Sequence, residues 1–183
     1  MPLIVHPTTL RDVKLLEPLA FDDARGFFME SFNARDFAEV VGFAQPFVQD
    51  NHSRSRRGVL RGMHYQIGRP QGKLVRVTDG EILDVAVDLR RSSPDYGKWT
   101  ASRLSCENRL QMWIPPGFAH GFLALSEQAD VLYKTTDYWC RECERAICWN
   151  DPDLAIAWPD VGPLQLAEKD LRAGLFEFAE TFE

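Results

Sequence analysis

Between Gly58 and Arg90 the chain reads GVLRGMHYQIGRPQGKLVRVTDGEILDVAVDLR, an alternation that suits paired strands and no helix. Leu83, Val85, Val87 and Leu89 share one parity, while Asp84, Asp88 and Arg90 share the other. A period of two puts these sets on opposite faces, so one face is expected to pack and the other to present charge. Asp79-Gly80 is a tight-turn dipeptide between two apolar runs, and Gly58 and Gly62 bracket Arg61 just ahead of His64. The segment therefore reads as consecutive strands whose polar groups converge between sheets, as the wall of a reaction site would.

The same texture continues from Phe47 to Trp149, where short β-rich runs recur between Gly, Pro, Asn, Asp and Ser, the pattern of a sandwich or barrel. Ahead of it, residues 15–21 are largely apolar, residues 22–26 form a polar turn, and strand pairing is expected to begin at Phe27-Phe28. Asn33 suits the N-cap of a short helix with Phe37, Val40 and Val41 on its apolar face, Asp36 three residues past the cap and Gly42 as its stop. Beyond Trp149 the prolines Pro152, Pro159 and Pro163 mark loops before a short helix near residues 167–171, a tail expected to close over the barrel. Phe27, Phe28, Trp113, Trp149 and Trp158 are expected in the core. With 183 residues and 45% hydrophobic content, the chain is long enough for one well-cored domain, 1–183, and short of two.

Formal charge is -6, from 27 acidic against 21 basic residues, with no basic block. That balance argues against nucleic acid or an anionic membrane as partner. No apolar run approaches the roughly 20 residues of a membrane span, and the start MPLIVHPTTLRD lacks the features of a signal peptide, so a cytoplasmic protein is expected. Cys140 and Cys143 form a CxxC, which raises zinc and redox readings. Structural zinc usually takes two paired knuckles, and Cys106 and Cys148 supply no second pair, so four free thiols are the expectation.

The run QMWIPPGFAHGFLAL, residues 111–125, resembles the second motif of the cupin superfamily, in which a proline-glycine turn feeds a strand carrying histidine. The first motif departs from the metal-binding pattern: it is RGMHYQ, with His64 alone and Gln66 where a second imidazole would sit. His64 and His120 fall short of the three or four ligands a catalytic metal takes, so no metal site is expected. Within the cupins the chain resembles the dTDP-4-dehydrorhamnose 3,5-epimerase family over essentially its whole length. The carriers are DARGFFMESFN, QDNHS, GVLRGMHYQ, QGKLVRV, DVAVDLR, IPPGFAHGF, LYKTTDYW and AEKD, in that order. The resemblance implies an all-β cupin jelly roll with a few short helices, a dTDP-4-keto-6-deoxy sugar as substrate and no cofactor. It also implies a homodimer with the N-terminal strand exchanged into the partner.

Inverting a carbon beside a ketone takes a base on one face, a charge for the enolate oxygen and an acid on the other face. The resemblance assigns these roles to His64 as base, Lys73 as the charge and Tyr133 as acid, with Asp170 orienting the histidine. It implies a substrate-holding set of Arg25, Glu30, Gln49, Asp50, Asn51, Arg61, His120, Glu144 and Lys169, with Tyr138 and Trp139 stacking on a thymine or sugar face. Arginine and lysine suit a diphosphate through charge-assisted hydrogen bonds. Taken singly, each of these residues has an ordinary structural explanation; their joint occurrence carries the reading. A regular strand would send Arg61 and His64 to opposite faces, so a bend or bulge is expected at Gly62, unless Arg61 acts elsewhere in the dimer. Ala167 stands where relatives commonly place serine, which predicts a weak cap ahead of Lys169. The rival readings are a related epimerase of one carbon or a 3,4-ketoisomerase, a noncatalytic sugar-binding cupin and a metal-dependent cupin, which the missing HxH disfavours.

Overall fold

The computed structural model describes residues 3–183. Strands β1 (Leu3–Pro7) and β2 (Lys14–Pro18) come first, then the hairpin of β3 (Ala20–Asp23) and β4 (Gly26–Met29), then helix α1 (Ala34–Val41). The body of the fold is β5 (Gln49–Arg56), β6 (Leu60–Gln66), β7 (Lys73–Asp79), β8 (Glu81–Asp88), β9 (Trp99–Ser105), β10 (Gln111–Ile114), β11 (Phe118–Ala124) and β12 (Gln128–Thr135). The short strand β13 (Glu144–Ala146) and the single-turn helix α2 (Glu168–Leu171) follow. The two larger antiparallel sheets, ordered β1-β2-β10-β7-β12-β5 and β13-β6-β11-β8-β9, make the double layer of a cupin jelly roll.

The core sits between the layers. Val75, Val77, Met112 and Val131 of the six-stranded sheet meet Ile82, Ala86, Leu104 and Phe122 of the five-stranded one, all nearly sealed from solvent. Each such side chain contributes about 1.5–3 kcal/mol of apolar burial. The outer face of the five-stranded sheet is covered by the C-terminal tail, as expected: Leu154, Ile156 and Phe182 pack on Tyr65, Val85 and Leu89. Isolated bridges Val59–Gln165, Ile147–Gly174 and Arg90–Phe182 pin that tail. On the other side, α1 lays Phe37 against Leu16, Leu74 and Trp113. Its ends follow the sequence reading, with Asn33 accepting from the Arg35 and Asp36 amides and Gly42 in the left-handed region at φ 76°.

Several expectations need correction. Both faces of β8 are buried: the tail seals Val85 and Val87, and the opposite sheet seals Asp84 and Asp88, each 0% exposed. The carboxylates survive there because each is partnered, Asp84 by His120 and Asp88 by Arg90 and Ser93. Asp79-Gly80 makes the expected tight turn between consecutive strands, but β7 and β8 belong to different layers, so the turn carries the chain across. Strand pairing begins earlier than Phe27, with β1 on β2. Phe27 and Phe28 are 54% and 66% exposed, outside the core, because their hairpin forms its own two-stranded sheet. The Arg109 guanidinium lies 4.2 Å from the centre of the Phe27 ring. The thiols are not all free: the turn at Arg141–Cys143 brings Cys140 and Cys143 to a Cα separation of 5.2 Å, and they form a disulfide, leaving Cys106 and Cys148 free.

Candidate active site

His64 on β6 and His120 on β11 are direct cross-strand neighbours, so both rings share one face of the five-stranded sheet. Each is held by a buried carboxylate. His64 Nε2 lies 2.5 Å from Asp170 Oδ1, and His120 Nε2 lies 2.6 Å from Asp84 Oδ1. The His64 side chain keeps 24% exposure while Asp170 keeps 2%, so one end of the pair is open to a ligand and the other is fixed. Asp170 is presented by α2, whose cap position Ala167 makes no side-chain bond, as its sequence foretells.

Arg61 joins the same wall because the strand is not regular. Gly62 takes φ 139°, and the β6–β11 register slips between His120 and Phe122. A Cβ at Gly62 would lie 2.5 Å from the Gly121 Cα, so this close approach of the strands requires glycine. Arg61 and His64 therefore both reach the space between the sheets, and Arg61 Nε donates to Ser55 Oγ on β5 of the opposite sheet at 3.1 Å.

The facing wall comes from the six-stranded sheet. Lys73 on β7, Tyr133 on β12, and Gln49 and Asn51 on β5 line a cavity of about 590 Å³ whose other wall carries His64, His120 and Arg61. Lys73 is 7% exposed and its Nζ donates to the His64 carbonyl at 3.4 Å. Burial pushes this ammonium down to about 8, with Asp84 and Glu144 pulling it partly back. Burial raises the Tyr133 phenol above its usual range, with Arg61 opposing and Glu144 adding, so it remains a proton donor at neutral pH. An imidazole on one sheet thus faces a phenol on the other, with a buried ammonium beside them.

Of the residues anticipated from the sequence, His64, Lys73, Tyr133, Asp170, Gln49, Asn51, Arg61, His120, Trp139, Glu144 and Lys169 all border this cavity. Glu144 and Lys169 meet across its edge at 2.7 Å. Arg25, Glu30, Asp50 and Tyr138 are not brought there. Arg25 sits at the tip of the β3–β4 hairpin, 89% exposed and bonded to Asp23. Glu30 accepts from Asn33 Nδ2 and lines a separate small cleft beside α1. Asp50 has the wrong parity, because the period of two that turns Gln49 and Asn51 inward turns it outward onto Lys134. Tyr138 is 55% exposed, outside the lining. The sequence reading missed Ser55 as the Arg61 acceptor and Asp84 as the His120 partner. Their signal was parity alone, since both alternate with neighbours of the opposite face. Among the described residues no three His, Cys, Asp or Glu side chains are grouped to hold a metal ion.

Comparison with known proteins places this geometry. The family model described as dTDP-4-dehydrorhamnose 3,5-epimerase matches residues 7–177. The Pseudomonas aeruginosa protein of that name is 61% identical over 171 residues, 93% of this chain and 94% of the relative. The Legionella pneumophila dTDP-6-deoxy-D-glucose-3,5-epimerase, solved in complex with dTDP-4-keto-L-rhamnose, is similar with a TM-score of 0.96 and 49% identity, covering 98% of this chain and 95% of that one. A 3'-monoepimerase from Streptomyces bikiniensis, solved in complex with dTDP-quinovose, is similar at TM-score 0.87 and 33% identity, covering 94% and 87%. With a family match over most of its length and a paired histidine facing a tyrosine across the cavity, this chain belongs to the dTDP-4-dehydrorhamnose 3,5-epimerase family.

Proposed function

We propose that this chain is the 3,5-epimerase of dTDP-L-rhamnose biosynthesis, converting dTDP-4-dehydro-6-deoxy-D-glucose to dTDP-4-dehydro-L-rhamnose. The observation that carries the reading is the placement of His64 and Tyr133 on opposite sheets across one cavity. A sugar ring between them meets a base on one face and an acid on the other. Asp170 accepts the Nε2 proton of His64, which leaves the Nδ1 lone pair as the base. His64 takes the proton at C3 or C5, the electron pair moves onto the C4 oxygen, and the Lys73 ammonium stabilises that enolate. Tyr133 returns a proton from the other face and is itself reprotonated from solvent. Both carbons flank the same carbonyl, so one buried cation serves both inversions. Arg61 and Lys169 supply the charge for the diphosphate.

The chain acts as one domain, in the cytoplasm with its nucleotide-sugar substrate, and as a homodimer. Exposed Phe21, Phe27 and Phe28 on the β3–β4 hairpin, together with the sheet edge at β1, support the dimer. In that assembly Arg25 and Glu30, which do not reach this chain's cavity, serve the partner's.

Incubation with the 4-keto sugar in deuterated water tests the assignment. Wild type should place deuterium at both C3 and C5 of the product; label at one carbon only would instead make it a monoepimerase. His64→Ala should lose both exchange and inversion by roughly 100- to 10,000-fold, the usual worth of a general base. Tyr133→Phe should keep exchange, because His64 can return a solvent proton to the original face, while net inversion drops more steeply. Normal exchange by His64→Ala, or full epimerisation by Tyr133→Phe, would sink the division of labour.

A further inference from the structure

The chain leaves β12 at Thr135 and rejoins the sheets at Glu144, and the strap between carries Trp139 to the rim of the cavity. Apart from the turn at Arg141–Cys143 the strap has no regular structure of its own. Besides the Cys140–Cys143 disulfide, the Arg69–Asp137 ion pair and the backbone bonds of Thr136 and Cys143, three glutamine amides hold it. Gln71 Nε2 donates to the Asp137 carbonyl at 2.8 Å, and Gln49 Oε1 accepts the Trp139 amide at 3.0 Å. Gln66 grips both flanks of the indole-bearing residue, its Nε2 donating to the Tyr138 carbonyl at 3.3 Å and its Oε1 accepting the Cys140 amide at 2.8 Å. Its second Nε2 hydrogen goes to the Arg69 carbonyl at 2.8 Å, and the side chain is only 4% exposed. A primary amide is the neutral group that offers two donors and an acceptor from one planar end. A carboxylate of the same shape would face two carbonyl oxygens with no proton to give. This is the position where a metal-binding relative would be expected to carry an imidazole.

We propose that Gln66 is a positioning residue that fixes Trp139 at the cavity rim and so sets how firmly the nucleotide sugar is held, without taking part in proton transfer. The inference rests on the epimerase reading above. It deepens that reading by separating the residues that hold substrate through the strap from those that move protons.

The test is a double-mutant cycle between Gln66→Glu and Trp139→Ala, read by steady-state kinetics on the 4-keto sugar and by calorimetric dTDP affinity. Gln66→Glu should raise KM and the dTDP Kd about tenfold, the scale of a buried hydrogen bond left unmade, with kcat within about threefold. Because Gln66 acts through the indole, the double variant should bind no worse than Trp139→Ala alone, within about twofold. Additive losses in the cycle, or a fall in kcat at unchanged KM, would overturn the proposal. If Gln66→Glu gives no cooperative thermal transition, Gln71→Leu loosens the same strap at Asp137 and enters the same cycle. A KM equal to wild type there would count equally against it. An inactive wild type would reject the epimerase reading itself, whereas an active wild type with an unresponsive Gln66 rejects only this inference.

Discussion

Lys73 must carry charge in a place that disfavours charge. Its burial between the sheets brings the ammonium down to about 8, which makes it a stronger acid than a solvent-exposed lysine yet leaves it mostly protonated at neutral pH. The useful form is the cation, so activity should be present below that value and be lost as pH rises through it. We expect kcat/KM to fall by about tenfold per pH unit above about 8, measured as a pH–rate profile. The Tyr133 phenol titrates above its usual range and stays protonated through this window, so the alkaline limb belongs to Lys73. Lys73→Arg, which stays charged, should move the limb upward if it retains activity. A wild-type profile flat to pH 9.5 would remove Lys73 from the role. The residue type was legible in the sequence, but its burial was not: a lysine at the start of KLVRV is equally compatible with a solvated strand end. Only the closure of the second sheet over it decides between the two.

Elements differ in how openly the sequence declares them. Helix α1 is fully announced, because its cap, apolar stripe and glycine stop are all local. Strand β5 is silent: QDNHSRSR holds no apolar residue, so a hydrophobic period cannot reveal it. Its alternation is of another kind, with Gln49, Asn51 and Ser53 turned toward the cavity, Ser55 buried beside Arg61, and Asp50, His52, Arg54 and Arg56 turned outward on a sheet edge. The kink in β6 was foreseen from two residues that had to share a wall, and Gly62 makes it. Gly62→Ala should destabilise the protein by roughly 1–3 kcal/mol, seen as a lower urea midpoint, and reduce activity by displacing Arg61. An unchanged midpoint would mean the strand relaxes without cost. The strap after β12 gives a simpler check. Thiol titration should find two reactive cysteines in the unreduced, denatured chain and four after reduction, from Cys106 and Cys148 against the full set. Four thiols without reduction would restore the original expectation.

At the scale of the molecule, the sequence pattern showed a layered β protein but not which strand lies in which layer. The clearest case is Asp79-Gly80, where a dipeptide suited to a hairpin instead moves the chain between layers, since β7 finds its partners in β10 and β12 and β8 finds its own in β9 and β11. Long-range pairing of this kind leaves no local trace. The exposed aromatic hairpin was equally hidden, because two phenylalanines in sequence look like core. With Phe21, Phe27 and Phe28 each more than half exposed, it predicts a particle of about twice 20.9 kDa by light scattering. A stable, fully active monomer would reject the dimer and leave Arg25 and Glu30 without a site. His64 and Tyr133 hang on different layers, so the gap between base and acid is gauged by the apolar residues that keep those layers apart. Val75, Val131 and Ala86 lie outside the cavity lining, yet a methylene gained or lost among them should change the spacing of the two layers while every reacting side chain keeps its identity. The reach from base to acid is therefore expected to respond to substitutions inside the core, at positions that an inventory of substrate contacts would pass over.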